Sequence, residues 1–114
     1  MISGVQHVAL DVDDLAAAVT FYEQLGLAVA PRPAALGPTG VWLAAGGQQL
    51  HLVEVANVAP SGSNHIAFDV ADCMAEVERL RAAGVDISDP FDVGAGLQAF
   101  LRDPAGNLIE LNQR

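Results

Sequence analysis

The residues best suited to chemistry are three histidines, His7, His51 and His65, and one glutamate, Glu110. Imidazole and carboxylate are a good donor set for a borderline divalent cation such as Zn, Ni, Fe, Co or Mn. The spacing matters more than the residue types. His7-Val8-Ala9-Leu10-Asp11-Val12-Asp13-Asp14 aligns with His65-Ile66-Ala67-Phe68-Asp69-Val70-Ala71-Asp72 at an offset of 58 residues. At the same offset Leu25-Gly26-Leu27 matches Ala83-Gly84-Val85 and Trp42-Leu43 matches Phe100-Leu101, and after one inserted residue Leu50-His51-Leu52 matches Ile109-Glu110-Leu111. All three histidines therefore fall on repeat-related positions, and Glu110 holds the fourth. A single strand histidine is usually just a satisfied side chain. The whole histidine complement on symmetric positions argues instead for one shared metal site. A carboxylate buried in a sheet is costly without a cation, which points the same way for Glu110.

The repeat predicts the elements that position these groups. In module one (1–58), Val5 to Val12 alternates as a strand, Asp14 is placed to cap a helix, and Leu15, Ala18, Val19, Tyr22 and Leu25 recur at helical spacing until Gly26. In module two (64–114), Asp72 caps and Val77, Leu80 and Ala83 repeat the stripe before Gly84. Three short strands follow each helix, the last two joined in module two by a type I turn at Asp103-Pro104-Ala105-Gly106. The expected fold is α+β, two βαβββ modules in a single domain (1–114), joined by the flexible composition of 59–63. Neither half can bury both helix and sheet alone, so the sheets combine within a chain or across a dimer.

Strand alternation selects the neighbours. Ala9 and Asp11 share the face of His7, Ala67 and Asp69 that of His65, Gln49 and Val53 that of His51, and Leu108 and Asn112 that of Glu110. Trp42 and Phe100 are repeat-equivalent aromatics, expected either in the core or against substrate. Arg102 shares the parity of Phe100 and is expected to meet an anionic substrate group or to close a rim salt bridge. Phe21, Tyr22 and Cys73 are read as core, Glu54 as a solvated strand-end charge, and Asp11 and Asp69 as turn organisers. Pro31 to Gly40 and Ser88 to Gly96 read as loops able to cover a pocket.

Composition narrows the partners. The 114 residues are 52% apolar, enough for one core, and carry 5 basic and 14 acidic side chains for a net charge of −9. Every basic residue is an arginine, so Schiff-base chemistry is excluded, and clustered cations for a nucleic-acid backbone or an anionic membrane are missing. One cysteine allows no intrachain disulfide and fits a reducing cytoplasm. The opening Met1-Ile2-Ser3-Gly4-Val5-Gln6-His7 is not expected to act as a secretory signal, and no window reaches the ~20 apolar residues of a membrane span.

The residues His7-Val8-Ala9-Leu10, Phe21-Tyr22, Leu25-Gly26-Leu27, His65-Ile66-Ala67-Phe68 and the closing run Asp103-Pro104-Ala105-Gly106-Asn107-Leu108-Ile109-Glu110-Leu111 resemble the vicinal oxygen chelate superfamily across essentially the whole chain. That superfamily includes glyoxalase I, fosfomycin- and bleomycin-resistance proteins, methylmalonyl-CoA epimerase and extradiol dioxygenases. The resemblance implies an incomplete barrel around one divalent metal ion held by His7, His51, His65 and Glu110, and a homodimer. It implies a glyoxalase-like isomerase or lyase for a small vicinal-oxygen or α-oxygenated carbonyl substrate, with Glu110 catalytic and Trp42, Phe100 and Arg102 lining the substrate pocket. The alternatives are a non-enzymatic protein that binds an antibiotic or toxin, and a ring-cleaving dioxygenase. The chain departs from several branches. Glyoxalase I has a carboxylate where His51 stands, fosfomycin enzymes a threonine at Ala9 and a lysine absent here, and extradiol enzymes a further histidine. Bleomycin-binding proteins lack the ligands.

Overall fold

A computed structural model describes all 114 residues, Met1–Arg114. Two compact units divide the chain, Met1–Ala59 and Pro60–Arg114. The first runs β1 (His7–Val12), α1 (Leu15–Gln24), β2 (Ala28–Ala30), β3 (Gly40–Ala45) and β4 (Gln48–Glu54). The second runs β5 (His65–Asp69), α2 (Cys73–Ala82), β6 (Phe91–Asp92), β7 (Leu97–Arg102) and β8 (Leu108–Gln113). Each is βαβββ, and the class is α+β. The sheets are open, four strands each, in the orders β1-β4-β3-β2 and β5-β8-β7-β6. The first and last strands of each unit are parallel neighbours and the other pairs antiparallel.

Both helices start and stop for the same local reasons. The carboxylates of Asp14 and Asp72 accept from the backbone N–H of Ala17 and Ala75, each at 3.0 Å, replacing a bond that the first helical turn cannot make for itself. At the other end Gly26 (φ +103°) and Gly84 (φ +85°) take the left-handed conformation. This lets the Leu27 and Val85 amides reach back to the carbonyls of Tyr22 and Leu80.

The pattern of β1 alternates exposed and covered up to buried Val12, and that of β5 alternates without a fully buried position. The covered faces are the core. In the first unit Val12, Ala18, Phe21, Tyr22, Leu43, Leu50 and Leu52 are buried, with Phe21 and Tyr22 in edge-to-face contact. In the second the buried set is Cys73, Val77, Leu80, Ile87, Ala99, Leu101, Ile109 and Leu111. Each large aliphatic or aromatic side chain buried this way contributes ~1.5–3 kcal/mol. Leu15, Val19 and Leu25 of the expected stripe are only partly covered.

Several expectations change in detail. The first strand begins at His7 rather than Val5, which is exposed; only the Gln6 carbonyl extends the pairing, accepting from Gln49 N–H. The stretch 88–96 is not all loop, because Phe91–Asp92 pairs with β7. The stretch 31–40 contains a 3₁₀ turn, Ala34–Leu36. Of the stretch 59–63, Ala59 closes the first unit and residues 60–63 open the second. The Ser61 hydroxyl accepts from the Leu108 amide at 3.3 Å, and the Ser61 carbonyl from the Asn64 amide at 3.1 Å.

The motif Asp103-Pro104-Ala105-Gly106-Asn107 is a self-bonded turn. Buried Asp103 accepts through Oδ1 from the amides of Ala105 and Asn107 and through Oδ2 from the Asn107 side chain, each at 2.9 Å. The Gly106 amide closes onto the Asp103 carbonyl at 2.9 Å. This motif sets the β7–β8 register that pairs Phe100 with Glu110.

Cys73 is fully buried at the start of α2, its amide donating to Gln113 Oε1 at 2.8 Å. Burial, reinforced by the Asp72 charge, pushes its thiol above the ordinary cysteine value. The native chain is therefore expected to leave an aromatic disulfide reagent unreduced at neutral pH and to react with one equivalent once denaturant unfolds it. A raised acidic pKa favours the folded state only while the thiol keeps its proton. That contribution is lost as pH rises past the ordinary cysteine value toward the higher folded one.

Candidate metal and substrate site

His7, His51 and Trp42 form one stack on the open face of the first sheet. β4 lies between β1 and β3, and His51 pairs across β4 with Ala9 on one side and Trp42 on the other. This register sets the His51 ring directly beside Trp42 and diagonally beside His7. His51 lies 4.0 Å from His7 at 17° and 4.1 Å from Trp42 at 1°, centroid to centroid. His51 is 8% exposed, whereas His7 on the edge strand is open. Burial, then His7 and Arg32, pushes the His51 pKa below the ordinary histidine value. It is thus held neutral at neutral pH, as a metal-binding imidazole must be.

The second unit repeats this arrangement with a carboxylate in the central strand. Glu110 pairs with Ala67 of β5 and Phe100 of β7, and is 6% exposed. His65 Nε2 lies 3.2 Å from Glu110 Oε1, and Asn112 Nδ2 donates to Glu110 Oε2 at 2.8 Å. Phe100 meets His65 edge-on at 5.6 Å and stacks on Phe91 at 6.0 Å.

The remaining nitrogens show how these groups suit a cation. His65 Nδ1 donates to the Ser63 carbonyl at 2.8 Å, and His7 Nδ1 to the side-chain oxygen of Gln6. Each bond places the ring proton on Nδ1 and leaves Nε2 with a lone pair, the second-sphere arrangement of a metal-ligating histidine. At His65 that lone pair faces a carboxylate oxygen. Two acceptors at 3.2 Å repel unless a proton or a cation sits between them. His51 donates through Nε2 to Gln49 Oε1 at 2.8 Å, which leaves its lone pair on Nδ1. The donor set fits a divalent ion.

The four expected ligands thus come together in two pairs, His7 with His51 and His65 with Glu110. Neither unit alone gathers three or more His, Cys, Asp or Glu side chains. Trp42 joins the first pair and Phe100 the second. Phe100 and Arg102 also line a groove of about 370 Å³ with Asp86, Ile87, Ser88 and Leu108. The rim salt bridge considered for Arg102 does not form. Its guanidinium donates to the Gly106 carbonyl at 2.8 Å and the Ser61 hydroxyl at 3.3 Å, clasping the turn. Gln49 and Asn112 stood out in the sequence only as face neighbours, and the signal was parity alone. Glu54 and the strand-end Asp11 and Asp69 are exposed.

This fold coincides with that of other proteins. Residues 4–111 match the model of the Glyoxalase/Bleomycin resistance protein/Dioxygenase superfamily, and the chain belongs to that superfamily. Among solved structures, a protein from Bacillus anthracis assigned to the glyoxalase family superposes with TM-score 0.91 at 27% identity, covering 100% of this chain and 97% of that one. A lactoylglutathione lyase from Agrobacterium tumefaciens superposes with TM-score 0.78 at 25% identity over 98% and 94% of the two chains. An antibiotic-binding protein from a Streptomyces species is 34% identical over 98% and 96%, with TM-score 0.77. These relatives include both a lyase and a binding protein. No helix of this chain is long and apolar enough to cross a membrane.

Proposed function

We propose that the chain is a metal-dependent, glyoxalase-like isomerase or lyase acting on a small α-oxygenated carbonyl compound. One divalent ion would be held by His7, His51, His65 and Glu110 in an incomplete barrel, with the chain working as a homodimer. The observation that carries this reading is the repeat of a donor pair in the two sheets, with Nδ1 of both edge-strand histidines already tied back. The bound ion would supply a Lewis acid that grips vicinal oxygens and neutralises an oxyanion as it forms.

The chain's own residues do the rest. Asn112 steadies Oε2 of Glu110, so that Oε1 is the oxygen presented beside His65. Glu110, the one carboxylate of the set, takes up and returns the substrate proton. Trp42 and Phe100 shield the reacting atoms from water. Elemental analysis and calorimetric titration with Zn, Ni, Co, Mn and ferrous ions are expected to give one ion per chain, on a particle with the mass of two chains. A chain that takes up none of these ions would end the enzymatic reading.

Similarity to an antibiotic-binding protein, together with the planar Trp42–His51–His7 stack, supports a second reading, sequestration of an aromatic ligand. Saturable quenching of Trp42, the one tryptophan, by such a ligand in a chain that takes up no metal would favour it.

A further inference from the structure

We infer that Arg32 anchors an anionic group of the substrate, a carboxylate or phosphate carried on the α-oxygenated compound. The inference rests on the enzymatic reading and narrows its substrate class. Arg32 precedes the 3₁₀ turn, and its guanidinium donates to the carbonyls of Gly37 and, at 3.4 Å, Leu36. Those contacts hold it against Gly40, the first residue of β3. A Cβ built on Gly40 would lie 2.8 Å from Nη2 and 3.0 Å from both Cζ and Nε. Near-equal distances to three guanidinium atoms mean that the cation lies flat over the glycine, on the side a Cβ would occupy.

That side can be identified. Residues two apart on a strand share a face, so the direction of a Gly40 Cβ is that of Trp42, whose cross-strand partner is His51. The guanidinium therefore sits on the ligand-bearing face, one step along β3 from the aromatic stack. Gly40 does not have a left-handed φ, so it is not there to satisfy the backbone. The space it leaves is what Arg32 fills.

The cation has no counter-charge. The arginine ion pairs of the chain are Arg79–Glu76 and Arg81–Asp89, so none of the 14 acidic residues is placed against Arg32. Two backbone carbonyls leave further N–H groups of the planar fork available, the geometry that reads carboxylate and phosphate oxygens in pairs. A part-buried, immobilised guanidinium beside an imidazole stack is a seat for an oxyanion.

The test is a ¹⁵N NMR titration of the full chain with pyruvate, inorganic phosphate and uncharged pyruvamide, read at Arg32 Nε–H and the Gly40 amide. Pyruvate or phosphate is expected to give saturable shifts and so name the group, while pyruvamide gives none. Arg32→Gln, and separately Gly40→Ala, which keeps the charge but takes its seat, are each expected to weaken binding at least about tenfold. Should Arg32→Gln fail to fold, Gly40→Ala alone carries the test. Absence of saturable shifts with both anions, equal binding of pyruvamide, or full affinity in a folded variant overturns the inference. Metal uptake without anion binding sinks this inference alone. Anion binding at Arg32 in a chain that takes up no metal sinks the enzymatic reading alone.

Discussion

Glu110→Gln is expected to weaken divalent-ion binding by at least about 100-fold and to remove turnover, while leaving the fold intact. The reason lies in the two neighbours of the carboxylate. Asn112 donates its amide to Oε2, so a glutamine must turn its oxygen that way to avoid setting donor against donor. Its NH₂ then faces His65 Nε2, whose lone pair is available because Nδ1 is bonded to the Ser63 carbonyl. The substitution thus makes a good neutral hydrogen bond in a buried site. It removes the charge that would attract the ion, caps the imidazole that would bind it, and takes away the base. Calorimetric metal titration beside a thermal melt checks this. The melting temperature should shift by no more than the equivalent of ~1 kcal/mol. Unchanged metal affinity in the folded variant would remove Glu110 from the ligand set.

Asp103→Ala is expected to act on the fold first, destabilising the chain by about 3 kcal/mol although Asp103 is not among the proposed ligands. Three N–H groups, the Ala105 and Asn107 amides and the Asn107 side chain, lose a buried acceptor together. In a domain of this size such a loss lowers the melting temperature by about 10–20 °C. Asp103→Asn keeps the Oδ1 contacts but sets its own NH₂ against that of Asn107, so it should fall between wild type and alanine. Metal affinity should drop as well, because the turn sets the register that brings Glu110 opposite Phe100 and Ala67. A melt of Asp103→Ala within about 2 °C of wild type would show that the motif is not what holds the hairpin.

Much of this was legible from local pattern. The helix caps Asp14 and Asp72, the stops at Gly26 and Gly84 and the turn at Asp103 depend on groups a few residues apart, and chain order encodes such contacts directly. The βαβββ duplication and the buried Phe21, Tyr22 and Cys73 followed from periodicity for the same reason. Strand β6 was harder to see. Two residues between glycine- and proline-rich stretches carry too little alternation to stand out, and pairing with β7 alone makes them a strand.

The sequence by itself determined which residues could serve as ligands and which face of each strand they occupy, because the two-residue pleat and the repeat offset both live in the order of the chain. Only the tertiary structure decided how those groups are prepared for a ligand. It stacked His51 between His7 and Trp42, set the Nε2 lone pair of His65 toward Glu110, and laid Arg32 over Gly40 without a counter-charge. It also turned Arg102 to the hairpin rather than to a rim carboxylate. Tautomers and ion pairing depend on distances of a few ångströms between side chains of different elements, and such distances exist only once the sheets are paired.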